Sequence, residues 1–274
     1  FVGARLPAST RPVHAGEVGA APQRGSVAAR AARTVRLSGV LSQRYVDVIR
    51  GDRRTLALAL GQSVVIGGAL RILFGAGALS PAHELQLGFL LAVSAFWFGC
   101  NNAVKEVVKE RGLLLQEWAA GITLPAYMTS KVVVLAALAV LQSLLLLLIV
   151  VATGVQLHDA RASVGQALLG AMAGTALGLL VSCAADSTDG AATTLPILLI
   201  PQLLFSEAVV SPLSNAARPI AKAGIAAYWL NQSVHAEHGD PAVDAGLPPI
   251  VLTVQIVVCL AASAVLLGRS LRRR

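Results

Sequence analysis

Apolar residues fall into six long, nearly unbroken runs, at 56–74, 85–104, 132–151, 164–185, 191–210 and 250–267. Each is close to the roughly 20 residues an α-helix needs to cross a bilayer. The third run is wholly aliphatic from Leu144 to Val151. Continuous runs of this length do not fit strands, which are shorter or alternate in polarity. The pattern predicts an all-α membrane protein whose six transmembrane helices occupy 56–274.

Ahead of the first run, Leu37, Leu41, Tyr45 and Val48 recur at helical spacing among Arg36, Arg44, Arg50, Arg53 and Arg54. This pattern predicts an amphipathic helix over 37–55, lying along a membrane surface. Residues 1–36 carry Pro7, Pro12 and Pro22 among Gly and Ala. They bury too little apolar surface to fold alone and read as a disordered linker. They hold no apolar core of signal-peptide length, and a chain opening on Phe1 fits a linker that follows an upstream domain.

The polar segments between the runs are unequal. Residues 105–131 are charged and helical in pattern. Residues 211–249 are the longest break, with Pro212, Pro219, Pro241, Pro248 and Pro249, and with a mildly apolar stretch from Ile220 to Leu230. That stretch predicts a partial return into the membrane, tolerated where protein covers it.

Composition narrows the class further. Hydrophobic residues make up 55% of the chain and charged residues 13%, against about 25% charge in soluble domains, which excludes an ordinary soluble enzyme. The net charge of +8 does not point to nucleic acid, because no basic stretch is interleaved with aromatics. With the N-terminal tail placed in the cytoplasm, the inside segments 1–55, 105–131, 186–190 and 268–274 hold 10, 4, 0 and 4 of the 22 Lys and Arg. Arg71, Arg161, Arg218 and Lys222 are the remainder. The asymmetry predicts a multi-pass cell-membrane protein with both termini cytoplasmic.

Motifs for bond chemistry are missing. None of Lys105, Lys109, Lys131 and Lys222 follows a Gly, so the chain has no P-loop. It has no His-Glu-x-x-His and no Gly-x-Ser-x-Gly. Cys100, Cys183 and Cys259 stand at no metal or redox spacing. His235 and His238 are three apart, but two ligands in a loop do not make a metal site. No catalytic residue and no metal are expected.

The segment after the second run is the most informative. In one helix Glu106 and Glu110 repel at i,i+4, and the neighbours Lys105 and Glu106 do not face each other. These charges therefore predict an outside partner rather than pairing among themselves. Leu113, Leu114 and Leu115 add an exposed apolar triplet, read as a protein docking surface; a solvated loop on the headgroups is the alternative. In the fourth run Gly170, Gly174 and Gly178 repeat every four residues and Ser182 continues the row. Such a stripe admits another helix closely, either within one subunit or between two. In the fifth run Pro196 and Pro201 interrupt the hydrogen-bond ladder. Gln202 and Glu207 are polar at membrane depth and predicted to avoid lipid, although Glu207 is close enough to the boundary to snorkel.

The run from Phe98 through Asn101, Asn102 and Lys105 to Glu110 and Arg111, followed by Glu117, Tyr127, Ser130 and Lys131, resembles the membrane domain of ABC-2-type, ABCG-like exporters. The nearest subgroup is the bacterial one in which a forkhead-associated domain and an ATP-binding domain precede the permease. Pro196 to Ser206 resembles that family's fifth helix, and 37–55 its connecting helix. The resemblance implies that Glu110, Arg111, Leu114 and Glu117 lie on a coupling helix against the nucleotide-binding domain. It implies that Arg44, Asp47 and Arg50 lie on the connecting helix. It also implies that helices two and five line a pathway between two copies, through Phe96, Asn101, Asn102, Pro201, Gln202, Phe205 and Glu207. Glu207 departs from the family, which often has a small residue there.

The implied function is the permease domain of an ATP-driven exporter, moving a lipid-like or otherwise amphipathic substrate by alternating access. ATP and Mg would be held by a nucleotide-binding domain, upstream in the same chain or on a separate subunit. A second copy and membrane lipids are the other expected partners, and nucleic acid is not. The alternative classes are an ion-coupled secondary transporter, which would need an ionisable relay near mid-membrane, and a membrane signalling or scaffold protein.

Overall fold

The computed structural model describes residues 27–119 and 121–272, with side chains from residue 31 onward. The described residues form eleven helices. The first, α1 (Val27–Gly51), begins ten residues before the predicted start, because Val27 to Arg36 is rich in the helix formers Ala and Arg. The rest of the expected linker, 1–26, lies outside the described residues. Asp52 ends α1 and caps α2 (Arg53–Phe74), its carboxylate accepting from the Thr55 N–H at 3.1 Å. There follow α3 (Pro81–Ala103), α4 (Glu106–Lys109), α5 (Arg111–Ala119), α6 (Leu124–Ala152), α7 (Ala160–Ala184), α8 (Thr188–Leu204), α9 (Ala217–Gly224), α10 (Ala226–Glu237) and α11 (Leu247–Arg272).

Among the described residues five helical segments are long and apolar enough to cross a membrane: α2, Pro81–Lys109, α6, α7 and α11. The predicted fifth span is α8, which has 17 residues and ends at Leu204 instead of residue 210. At about 1.5 Å per residue it reaches about 25 Å, short of the roughly 30 Å hydrocarbon core. The chain turns away because Glu207 takes a left-handed φ of 67°. Its carboxylate holds that turn, accepting from the Leu213 N–H at 3.3 Å and the Gln232 side-chain amide at 2.9 Å.

The predicted return of Ile220–Leu230 is realised as α9 and α10. Ala226 to Asn231 are buried, with α10 packed on α3, α7, α8 and α11. Ile225 stands at the N-cap of α10 and has no polar side chain to satisfy the first amides. Gln202 of α8 supplies the acceptor, its Oε1 taking the Ala227 N–H at 3.1 Å.

The pair α3–α7 is the centre of the bundle. α2 and α6 flank it on one side; α8, α10 and α11 flank it on the other. The glycine stripe of α7 makes this pairing, within one subunit. A Cβ on Gly174 would lie 1.9 Å from the carbonyl oxygen of Phe96, and one on Gly170 2.7 Å from that of Ala92. Gly99 reciprocates from α3, where a Cβ would meet the Ala171 carbonyl oxygen at 2.3 Å. The two backbones touch, which only a column of small residues permits.

A second tie crosses the apolar interior. Gln142 of α6 is fully buried. It donates to the Ala59 carbonyl of α2 at 2.6 Å and accepts from the Asn102 side-chain amide of α3 at 2.5 Å. A buried amide with both ends matched fixes three helices in register.

Candidate functional site

The segment after α3 does not continue as one helix. α3 stops at Ala103, and after a turn at Val104 and Lys105 the short α4 leads into α5. Val107 and Val108 lie in the first turn of α4 and their N–H groups have no acceptor within so short a helix. Ser182 of α7 provides it. Its Oγ accepts from Val107 at 2.9 Å and from Val108 at 3.1 Å. The last position of the small-residue row on α7 thus anchors the charged segment. Arg111 adds a second anchor, donating to the Cys183 carbonyl near the C-terminus of α7 at 3.1 Å.

The charges of this segment pair inside the chain, in contrast to the expectation that they await a partner. Lys131, in the second turn of α6, is only 3% exposed. Its ammonium lies 2.6 Å from a Glu110 carboxylate oxygen and 3.6 Å from one of Glu106. It also sits 3.6 Å above the centre of the Tyr45 ring and 5.8 Å from that of Tyr127, where ring quadrupoles favour a cation. Glu106 takes a hydrogen bond from the Tyr45 hydroxyl and an ion pair from Lys109. Two carboxylates and two ammonium groups therefore cancel formally at the junction of α1, α4 and α6. Burial, and then the Glu106 charge, push the Tyr45 hydroxyl well above the ordinary tyrosine range, so Tyr45 stays a donor. Glu117 of α5 pairs with Arg44 of α1 at 2.5 Å.

The Glu106–Lys109 pair is local, at i,i+3, but the other partners were hidden from the sequence because they lie far away along the chain. Glu110 and Lys131 are 21 positions apart, and Arg44 and Glu117 are 73 apart, outside any i,i+4 reading. The leucine triplet also divides. Leu114 is 1% exposed and packs with Tyr45, Val107 and Tyr127. Leu115 is half-buried, and Leu113 remains 47% exposed. One helical turn cannot present three consecutive residues to one side. Trp118 and Gln116 are exposed on the same short helix.

The other expected site residues separate. Arg44 joins the cluster, whereas Asp47 and Arg50 face outward from α1. Asn101 and Asn102 border a cleft of about 480 Å³ between α1, α2 and the start of α4, together with Tyr45, Gln62 and Lys105. Phe96 is fully buried and borders a different cavity of about 300 Å³, shared with Gln202 and Gln255. Pro201 and Phe205 are half-buried. Pro201 does not end α8, and its carbonyl accepts from the Phe205 N–H at 3.0 Å. Glu207 serves the turn described above. Among the described residues, Asn101 and Asn102 therefore border one cavity and Phe96 and Gln202 another.

The buried anchor Ser182, the cation Lys131 with Tyr45 and Glu106, and the Gln142 bridge were not read as functional from the sequence. The row Gly170–Gly174–Gly178–Ser182 held the signal for the first.

The sequence that folds in this way is similar to that of known proteins. The ABC transporter ATP-binding/permease protein Rv1747 of Mycobacterium tuberculosis is 29% identical over 140 residues, which covers 48% of this chain and 16% of that protein. The chain thus spans a small part of the length of that relative. The family described as ABC-2 type transporter matches residues 37–236, from α1 through nearly all of α10. On that match over most of its length, the chain belongs to the ABC-2 type transporter family and is a permease membrane domain.

Proposed function

We propose that this permease domain is the membrane half of an ATP-driven exporter. Two copies enclose the pathway, both termini lie in the cytoplasm, and the α4–α5 segment receives movement from a nucleotide-binding domain that holds ATP and Mg. The observation that carries this reading is the clamping of α4–α5. Ser182 and Arg111 fix it to α7, Lys131 fixes it to α6, and Arg44 fixes it to α1. A segment held to α1, α6 and α7 passes a push on to the spans rather than absorbing it. Its free surface, with Leu113 and Gln116, is what remains for a partner domain.

The family membership and the relative that joins an ATP-binding to a permease part support the nucleotide-dependent reading. Alternating access follows from it, with binding of ATP closing the nucleotide domains and the clamped segments tilting the central helices. The apolar walls near α8 and α11 favour an amphipathic, lipid-like cargo.

The test uses the full-length protein, with its ATP-binding part, in liposomes. Export and ATP hydrolysis are followed together for wild type and for Leu113→Asp. An interfacial apolar anchor replaced by a charge costs about 2 kcal/mol or more. Export should fall at least about tenfold while expression and helicity persist. Export at the wild-type rate removes α5 as the docking surface, and export without ATP removes the exporter reading.

A further inference from the structure

At the end of the bundle opposite the charged segment, three side chains from distant parts of the chain meet. Glu84 lies in the first turn of α3, His158 in the loop before α7, and His238 at the C-cap of α10. One ligand atom from each lies within 4.8 Å of the other two. His158 Nδ1 is 3.4 Å and His238 Nε2 3.7 Å from the same oxygen of Glu84. The two imidazoles stack with centres 4.4 Å apart. His235, three residues before His238 in the sequence, is not in the group; it turns to Asp240, at 3.2 Å.

The tautomer of His238 follows from its other nitrogen. Nδ1 lies 2.8 Å from the Val234 carbonyl oxygen, which can only accept, so Nδ1 carries a proton, and in the neutral ring Nε2 presents the lone pair. That Nε2 is buried and makes no hydrogen bond to the described residues, which is rare for a buried polar atom. An imidazole that donates from one nitrogen to a backbone carbonyl and leaves the other free is the usual outer-shell arrangement of a metal-ligating histidine.

We propose that Glu84, His158 and His238 bind a divalent transition-metal cation of the Zn²⁺ class. Two imidazoles and one carboxylate would occupy three positions of a tetrahedron and leave the fourth to water. Mixed nitrogen and oxygen donors select such an ion over Mg²⁺ or Ca²⁺, which prefer oxygen alone. Ligand distances of about 2.0–2.2 Å require the three side chains to close by small rotations, and His158, about half exposed, is free to make them. The cation would join the start of α3, the α6–α7 loop and the end of α10. The loops there are already tied, through Arg71 to the Thr153 carbonyl at 2.9 Å and through the Gly77 N–H to the Gly154 carbonyl at 2.8 Å. The metal would extend this tie to α10, the helix that packs in behind the short α8.

The test titrates the purified chain in detergent with Zn²⁺ and, separately, with Co²⁺, whose visible absorption reports four-coordinate nitrogen and oxygen ligation. One equivalent per chain should bind, with a rise in melting temperature. His158→Ala and Glu84→Gln should each weaken uptake by at least about tenfold and abolish the thermal shift. His235→Ala, in the same region but outside the cluster, should leave both unchanged. His158 is exposed on a loop, so its variant reports on the metal even where substitution of the buried His238 perturbs folding. Uptake that survives His158→Ala, equal loss in His235→Ala, or no stoichiometric binding at micromolar free metal overturns the proposal and leaves the cluster as a polar contact between the two imidazoles and Glu84.

Discussion

The hydroxyl of Ser182 holds the backbone N–H of Val107 at 2.9 Å, so the charged segment hangs from the same face of α7 that carries the glycine column. Ser182→Ala removes the acceptor shared by Val107 and Val108 and leaves two buried donors unmet. The expected cost is about 1–3 kcal/mol, read as a lower melting temperature in detergent, with faster amide exchange confined to 105–110. An unchanged exchange pattern there would show that water replaces the hydroxyl without loss.

Lys131→Met keeps most of the length of the side chain and removes its charge, taking from Glu110 its ion-pair partner and from Glu106 one of its two ammonium neighbours. Breaking a buried pair costs about 3–5 kcal/mol; the partial exposure of Glu110 brings the expectation to the lower end. The second variant, Glu110→Gln in the Lys131→Met background, should recover part of the loss. A coupling of about 0.5–3 kcal/mol in the double-mutant cycle measures the pair, and strict additivity would mean that the two residues do not interact.

Two alanine substitutions on α7 should have opposite outcomes. Gly174→Ala sets a methyl group against the Phe96 carbonyl, where no side chain can yield, and should destabilise by about 1–3 kcal/mol or more. Gly165→Ala meets nothing within 4 Å and should be neutral or stabilise by up to about 1 kcal/mol through helix propensity. Equal melting temperatures for the two variants would remove the backbone contact as the basis of the stripe.

Tyr45 gives the junction an alkaline signature. Its folded-state pKa is raised, by burial first and by Glu106 second, above the ordinary value of about 10. The unfolded chain sheds this proton once the pH passes about 10 while the folded chain keeps it. The contribution is therefore complete below about pH 10 and is lost as pH rises toward the folded pKa. Tyr45→Phe loses the hydrogen bond to Glu106 and should melt lower near neutrality by about 1–3 kcal/mol. Its melting temperature should also fall less steeply above about pH 10, narrowing the gap to wild type. Parallel curves would show that Tyr45 ionises as freely as in solution.

What the sequence made legible was whatever depends on local period. The long apolar runs predict the spans, and four-residue spacing predicts the column Gly170, Gly174, Gly178 and Ser182, though not which helix it meets. Prolines 196 and 201 draw attention to α8, but its early end depends on the left-handed turn at Glu207, which only packing against Gln232 reveals. The charged segment was misread for the same reason. Glu110 looks unpaired within its own helix, and Lys131 and Tyr45 reach it only after α1 and α6 fold across. Glu84, His158 and His238 belong to three loops or helix ends and have no common motif.

Contact between the α3 and α7 backbones leaves no rotamer between them to change. Sliding one past the other would drive the Gly174 α-carbon over the Phe96 carbonyl, with nothing soft to take up the displacement. The two helices therefore form one beam, to which Ser182 fixes the charged segment. Any rocking of the domain must be taken up at its outer seams, along α2 and α11, whose faces away from the beam are largely exposed.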